Sequence, residues 1–272
     1  MKRYLRLTRR IRREVYNDPA GSHKATSTGH ITMSDIAVIL GVRAANGLGG
    51  AIARRFAQGG LHVVIAGRTE QRLTSVVEEI RTAGDNASLC VTDATDPSAL
   101  ETLMSQANSL GTVKSVVFNV GNNRLLPFEE LTAETFETFW RTCTLAGFLT
   151  AKAALPTLER NGGSLLFTGA SASMRGRPGF AHFGAAKAAL RNLAQALAKD
   201  YGPKGVHVAH VVVDGVINGE MVQSYLGEYL ESLGEDGSLE PDSIAEAFWF
   251  MHTQPRNTWT FEMDVRPFKE HW

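Results

Sequence analysis

The chain has 272 residues, 43% of them hydrophobic and 21% charged, with 26 glycines and two cysteines, which fits one α/β domain and excludes a small disulfide-held scaffold. Basic and acidic residues number 28 each, but residues 1–34 hold 8 of the bases and 2 of the acids, leaving 20 and 26 for residues 35–272. So acidic a body argues against a large phosphate-binding surface: small-molecule substrates are expected, and nucleic acid is not.

The head, residues 1–34, is rich in arginine, and arginine interrupts every apolar run that could serve as the core of a secretory signal. It reads as a mitochondrial transit peptide, as a basic arm, or as a disordered tail ahead of a start at Met33, and the last is the plainest reading. A cytoplasmic location is expected unless the head is a transit peptide. No run approaches the roughly 18 apolar residues that would cross a bilayer, so no membrane partner is expected. Cys90 and Cys143 lie in apolar surroundings without a CxxC pair or a cluster of histidines. They read as reduced thiols, with no metal site implied.

From residue 35 onward, short β-branched apolar runs alternate with stretches of helical period, the pattern of a parallel sheet covered by helices on both faces. Strands are predicted at 36–40, 62–66, 88–91, 115–118, 164–168, 206–213 and 261–265. Helices are predicted at 49–58, 70–82, 97–109, 133–160, 181–200 and 242–252. Right-handed crossovers turn this order into a doubly wound, three-layer, seven-stranded parallel sheet. Its ligand crevice opens at the carboxyl ends of the strands where the strand order reverses.

The first strand runs into Gly41, Arg43, Asn46, Gly47, Leu48, Gly49 and Gly50 before a helix begins. Amides in a first helical turn have no intrahelical partner and the helix dipole favours an anion, while glycine lets the backbone come close. A phosphate site is one reading; a tight turn with close helix packing is the other. About 20 residues further, the second strand ends in Ala66-Gly67-Arg68-Thr69, with no acid before Glu70. A dinucleotide fold selective for NAD usually has an acid there. Arg68, with Arg43 from the first loop, is instead placed to pair with a 2′-phosphate, which favours NADP over NAD, unless Arg68 is a solvated surface arginine.

Residues 35–267 resemble the short-chain dehydrogenase/reductase family, whose landmarks occur in order. Residues 40–49 are similar to its glycine-rich loop, Asp93 to its adenine-contacting aspartate, and Asn119-Val120-Gly121 to its Asn-Ala-Gly strand end. Val213-Asp214-Gly215, two residues before Ile217, stands where the family has Pro-Gly, and Phe183-Gly184-Ala185-Ala186-Lys187 stands in place of Tyr-x-x-x-Lys. The resemblance implies a Rossmann-type fold, an NAD(P)-dependent oxidoreductase acting on a small carbonyl or alcohol, and a homodimer or homotetramer built on helices 133–160 and 181–200. It implies a cofactor site made of Gly41, Arg43, Asn46, Gly47, Leu48, Gly49, Arg68, Asp93, Asn119, Gly121, Lys187, Gly215 and Ile217. Gly41 and Gly47 are six apart where the family usually has four, so the turn is expected to be reshaped.

In that alignment the proton-relaying tyrosine is Phe183, the serine that fixes the substrate oxygen is Ala170, flanked by Ser171, and the asparagine is Cys143, leaving Lys187 as the surviving member. A phenyl ring has no proton to exchange, and losing a positioned acid–base costs on the order of 10²–10⁴ in rate. Two readings follow: a divergent NADP-dependent oxidoreductase with a displaced proton donor, or an NADP-binding pseudoenzyme acting as a sensor or non-catalytic subunit. Candidates for the displaced donor are His182, Ser171, Ser173, Asn122 and Tyr225. Ser171 is the better serine substitute if the turn shifts by one residue, and a turn-capping residue otherwise. His182, about 100° round the helix from Phe183, is expected to face elsewhere.

Residues 216–240, with Met221, Tyr225 and Tyr229 at helical spacing, correspond to the family's substrate lid or to a helix packed on the core. The aromatic tail, with Phe268 and Trp272, either covers a neighbouring subunit or closes the core; core closure is the favoured expectation.

Overall fold

A computed structural model describes residues 34–270 of the chain. Seven parallel strands form one sheet: β1 (Ser34–Leu40), β2 (His62–Gly67), β3 (Ala87–Val91), β4 (Gly111–Phe118), β5 (Gly163–Thr168), β6 (Val206–Val213) and β7 (Glu262–Val265). Their order is β3-β2-β1-β4-β5-β6-β7. The expected doubly wound fold is therefore present, and all the described residues fall in one unit, Met33–Trp272. The reading of residues 1–34 concerns, apart from Ser34 in β1, residues outside those described.

The central strands are apolar on both sides because helices cover both sheet faces. On one face Ile39, Val63, Ile65 and Val211 pack against α1 (Leu48–Gln58), α2 (Glu70–Thr82) and α8 (Pro241–Thr253). On the other, Val38, Val116, Phe118 and Phe167 pack against α3 (Pro97–Leu110), α5 (Ala146–Asn161) and α6 (Ala181–Tyr201). Each fully buried Leu, Ile or Phe in these layers contributes roughly 1.5–3 kcal/mol of transfer free energy.

The predicted helix at 133–160 is interrupted. It forms α4 (Ala133–Trp140), a π-helical turn Arg141–Leu145 and then α5. The widened turn carries Cys143, and Thr144 donates from its hydroxyl to the Ala186 carbonyl at 2.8 Å, which locks the turn onto α6. The hydrophobic period is the same on either side of one wide turn, so the sequence pattern does not show it. β4 also begins earlier than predicted, directly after α3, with a register shift against β1 between Ile36 and Ala37.

Within residues 216–240 the chain forms α7 (Glu220–Leu233), bent at Leu226, and none of its residues is buried. Its start hangs on the first glycine turn, where Glu220 N–H donates to the Asn46 carbonyl at 2.7 Å and the Asn46 side chain donates to Gln223. Most of the tail 259–272 closes the core: Phe261, Met263 and Val265 pack against it and Pro267 covers Gly215, whereas Phe268 is 90% exposed; Trp272 lies outside the described residues.

Several histidines are buried in this framework. Burial pushes His210 and His252 down to about 4, although Glu262 beside His210 and Asp35 near His252 act in the opposite direction. Both rings are therefore neutral in the folded chain and titrate near their ordinary value when unfolded, so the unfolded state binds more protons below about pH 6.5. Stability is then full above about pH 6.5 and falls as pH drops through about 4, by on the order of 3 kcal/mol per ring. Urea unfolding midpoints measured at pH 7, 5.5 and 4.5 are expected to decline steadily; a flat profile would overturn this assignment.

Candidate functional site

The strand order reverses between β1 and β4, whose ends lie side by side with Leu40 opposite Phe118. Asn119 continues β4 and ties the switch point together. Its N–H donates to the Leu40 carbonyl, its side-chain amide donates to the Gly41 carbonyl at 3.3 Å, and its side-chain oxygen accepts from the Thr168 hydroxyl at 2.9 Å. Gly41 is left-handed at φ +87°, and a Cβ there would lie 2.5 Å from the Asn119 backbone. Glycine is therefore required on both conformational and steric grounds.

α1 starts at Gly47 with no side-chain cap and no acid in its first turn, so its first amides keep their capacity to hold an anion. The tight positions are Gly49 and Gly50, where a Cβ would meet the Gly41 and Ala45 carbonyls at 2.8 and 2.5 Å. At Gly47 the nearest atom would be an ordinary 3.5 Å away. The close approaches therefore fall at Gly41, Gly49 and, in the first turn of α1, Gly50, and not at Gly47. The Leu48 side chain packs in the core, so only its backbone faces the turn.

At the end of β2, Arg43 and Arg68 are exposed. A third arginine, Arg72 in the first turn of α2, donates to the Arg43 carbonyl at 3.4 Å and was not legible as part of the loop. None of the three is in an ion pair with a carboxylate among the described residues. Asp93 stands opposite. The Thr95 backbone N–H, with its hydroxyl and nearby Arg68 adding to the effect, holds its carboxyl below the usual carboxylate range.

The residues aligned with the family's reacting groups converge. Lys187, on α6, is 4% exposed and donates from Nζ to the Thr168 carbonyl at the end of β5, 2.8 Å away. That is its one hydrogen bond among the described residues, although an ammonium carries three donors. A Cβ on Gly121 would lie 3.4 Å from Lys187 Nζ and 3.9 Å from Cys143 Sγ, so the glycine leaves the ammonium's flank open. Burial pushes Lys187 below the usual lysine range, opposed by Cys143. Cys143, Phe183, Phe139, Ala172 and Ala186 form one apolar cluster with Ala170 packed against it, and the Phe183 ring centroid is 5.8 Å from Lys187 Nζ.

The neighbouring hydroxyls separate in role. Ser173 is buried and accepts the Ala170 N–H at 3.1 Å, a cap on its own turn. The Ser171 side chain is half-buried and has no hydrogen bond among the described residues. His182 packs edge-on against Phe139 at 4.3 Å, with both ring nitrogens buried. Gly215 has φ +155° beneath Pro267, and Ile217 bridges to Leu239 at the root of α7.

A parallel sheet in this order, with an open glycine turn at its switch point and a lysine rising between β4 and β5, is a Rossmann-type dinucleotide-binding framework. The short chain dehydrogenase family model matches residues 35–229, and the chain belongs to that family. A short-chain dehydrogenase from Rhodopseudomonas palustris is 31% identical, with a TM-score of 0.72 over 86% of this chain and 98% of that one. An alcohol dehydrogenase from the archaeon Thermococcus sibiricus, complexed with 5-hydroxy-NADP, is 26% identical, with a TM-score of 0.73 over 87% and 98%. An uncharacterized oxidoreductase of Staphylococcus aureus is 28% identical over 85% of this chain and 96% of its own length. No helix among the described residues is long and apolar enough to cross a membrane.

The close packing at the switch point has a measurable consequence. Gly41→Ala forces a Cβ into the Asn119 backbone in a left-handed conformation, which costs roughly 1–3 kcal/mol. Gly47→Ala meets only ordinary contacts and is expected to cost less than about 1 kcal/mol. Thermal unfolding of the two variants checks the order; equal midpoints would overturn the assignment of the tight glycine.

Proposed function

We propose that the protein is an NADP-dependent oxidoreductase of divergent short-chain type that interconverts a small carbonyl and its alcohol. The observation that carries this reading is the Lys187 ammonium, buried at the crevice with one protein acceptor and an open flank over Gly121. The residues fit a dinucleotide. The turn at Gly41, Gly49 and Gly50 admits a close-lying backbone or phosphate, the first amides of α1 are uncapped, and Lys187 has donors to spare for ribose hydroxyls. Such a cofactor supplies hydride transfer at its nicotinamide carbon.

The chain's own residues orient and hold. Asn119 fixes the ends of β1, β4 and β5 on one another, and Lys187 grips the ribose side of the crevice. Arg43, Arg68 and Arg72 give the far end a positive field with no competing acid at the end of β2, which supports NADP over NAD. In this reading Phe183, Ala170 and Cys143 occupy the family's tyrosine, serine and asparagine positions, and the proton comes from another group. Ser171, with its unpartnered hydroxyl half-buried beside Ala170, is the best placed.

The closed apolar cluster of Cys143, Phe139, Phe183 and Ala172 favours a second reading, an NADP-binding protein with little turnover. Fluorescence titration with NADPH followed by a carbonyl panel at high protein concentration separates the two: binding with oxidation supports the first, and binding without oxidation supports the second. Lack of binding overturns both. The exposed face of α4 and α5, with Phe136, Trp140 and Phe148 each about two-fifths exposed, beside the small-residue face of α6, supports a homodimer built there.

Two further outcomes are expected. NADPH binds at least about tenfold more tightly than NADH, and Arg68→Ala removes about 1–2 kcal/mol of that preference, read by paired fluorescence titrations. Lys187→Met raises the thermal midpoint, because a buried ammonium with one acceptor is replaced by an apolar chain, and weakens NADPH binding at least about tenfold. A midpoint that falls together with unchanged affinity would contradict the role given to Lys187.

A further inference from the structure

Two loops at the carboxyl edge of the sheet, residues 119–127 after β4 and residues 169–180 after β5, carry Arg124, Arg175 and Arg177 and no acidic residue; Glu129 and Glu130 follow the first loop in the turn Phe128–Glu130. The loops are joined, since Leu126 N–H donates to the Gly179 carbonyl at 2.9 Å and the Leu125 side chain lies over Gly179. Arg175 and Arg177 line an open, shallow depression of about 510 Å³ together with Ala172, Ser173 and Gly184. Ala172 belongs to the apolar cluster of Phe183 and Cys143, and Gly184 follows Phe183 on α6, so the depression shares a wall with the reacting end of the crevice.

Arg175 is held in a particular way. One of its terminal nitrogens donates to both oxygens of Asp214, at 2.9 and 3.0 Å. Asp214 stands at the end of β6 with its side chain 2% exposed, and Arg266 approaches it at 3.7 Å. The other terminal nitrogen and Nε of Arg175 have no acceptor among the described residues, and the side chain is 40% exposed. A buried carboxylate thus fixes the guanidinium while leaving donors unspent, and a ligand meeting an already oriented cation loses less side-chain entropy on binding. Arg177 has no ion pair among the described residues. α6 begins beside them with no side-chain cap and no acid in its first turn, which adds a field of the same sign.

We infer that Arg175, assisted by Arg177, anchors an anionic group of the substrate, so that the carbonyl compound turned over carries a carboxylate or a phosphate. The inference rests on the oxidoreductase reading and narrows its substrate class. Arg175 and Asp214 then form one unit, with the carboxylate buried at the strand end aiming the arginine from the loop.

The test uses the full chain saturated with NADPH and two matched pairs of probes, each read by calorimetry. One pair is benzoylformate and its methyl ester; the other is dihydroxyacetone phosphate and dihydroxyacetone. At least one anion is expected to bind about tenfold or more tightly than its neutral partner, the discrimination of a charge-assisted contact, and the pair that discriminates identifies the carboxylate or the phosphate. Arg175→Gln is expected to abolish the difference while leaving NADPH affinity within about twofold, and Arg177→Gln to reduce it several-fold. Arg177→Gln, which breaks no ion pair, keeps the test decisive if Arg175→Gln fails to fold. Equal binding within both pairs, no binding of any probe, or a preference that survives both substitutions overturns the inference. Failure of the wild-type chain to bind NADPH overturns the oxidoreductase reading instead.

Discussion

The hydrogen bond from the Lys187 ammonium to the Thr168 carbonyl is the contact on which the rest of the site depends. Burying a cation with one acceptor is costly, and the interior repays little of that cost by itself. What surrounds it is arranged to hold that carbonyl still. The Thr168 hydroxyl bonds Asn119, the Asn119 amide bonds the Gly41 carbonyl, and Gly41 and Gly49 have no side chain with which to push the layers apart. One chain of contacts therefore runs from the lysine to the glycine turn.

Around that lysine the surroundings are apolar. Cys143, Phe183 and Ala172 lie in one apolar cluster, and on the Gly121 side no side chain approaches the ammonium from the glycine. Low local polarity strengthens whatever single polar contact a ligand makes there and penalises any that is left unmade. It also explains why the chemistry proposed for this site requires a proton from a neighbouring turn rather than from α6 itself. The π-helical turn at Arg141–Leu145 belongs to the same arrangement, because it brings Cys143 toward Gly121 while Thr144 is held by α6.

Charge is distributed with equal purpose. Arg43 and Arg68 lie near Gly41 and the end of β2, and Arg124, Arg175 and Arg177 lie on the loops after β4 and β5, on a body whose residues 35–272 hold 20 bases and 26 acids. The root of α7 is tied at Asn46 by the Glu220 amide and the Gln223 side chain, by Gln223 on Asn218, by Asn218 on Glu240, and by a bridge from Ile217 to Leu239. A helix with no buried residue that is tethered at its root can move at small energetic cost.

The sequence by itself determined the strands and most of the helices. Parallel strands buried on both faces must be apolar throughout, and helices covering them must repeat at about 3.6 residues, so both leave a local pattern. It also placed the glycine turn, the arginines at the end of β2 and the position of Lys187. Only the tertiary structure decided which glycine is tight, that Arg72 reaches the Arg43 carbonyl, that Ser173 caps while Ser171 stays unpartnered, that Arg175 is clasped by Asp214, and that Phe268 remains in solvent. Each of those is a contact between residues distant along the chain or a choice between adjacent hydroxyls of the same chemistry. Neither periodicity nor residue type carries that information; the meeting of separate elements in space supplies it.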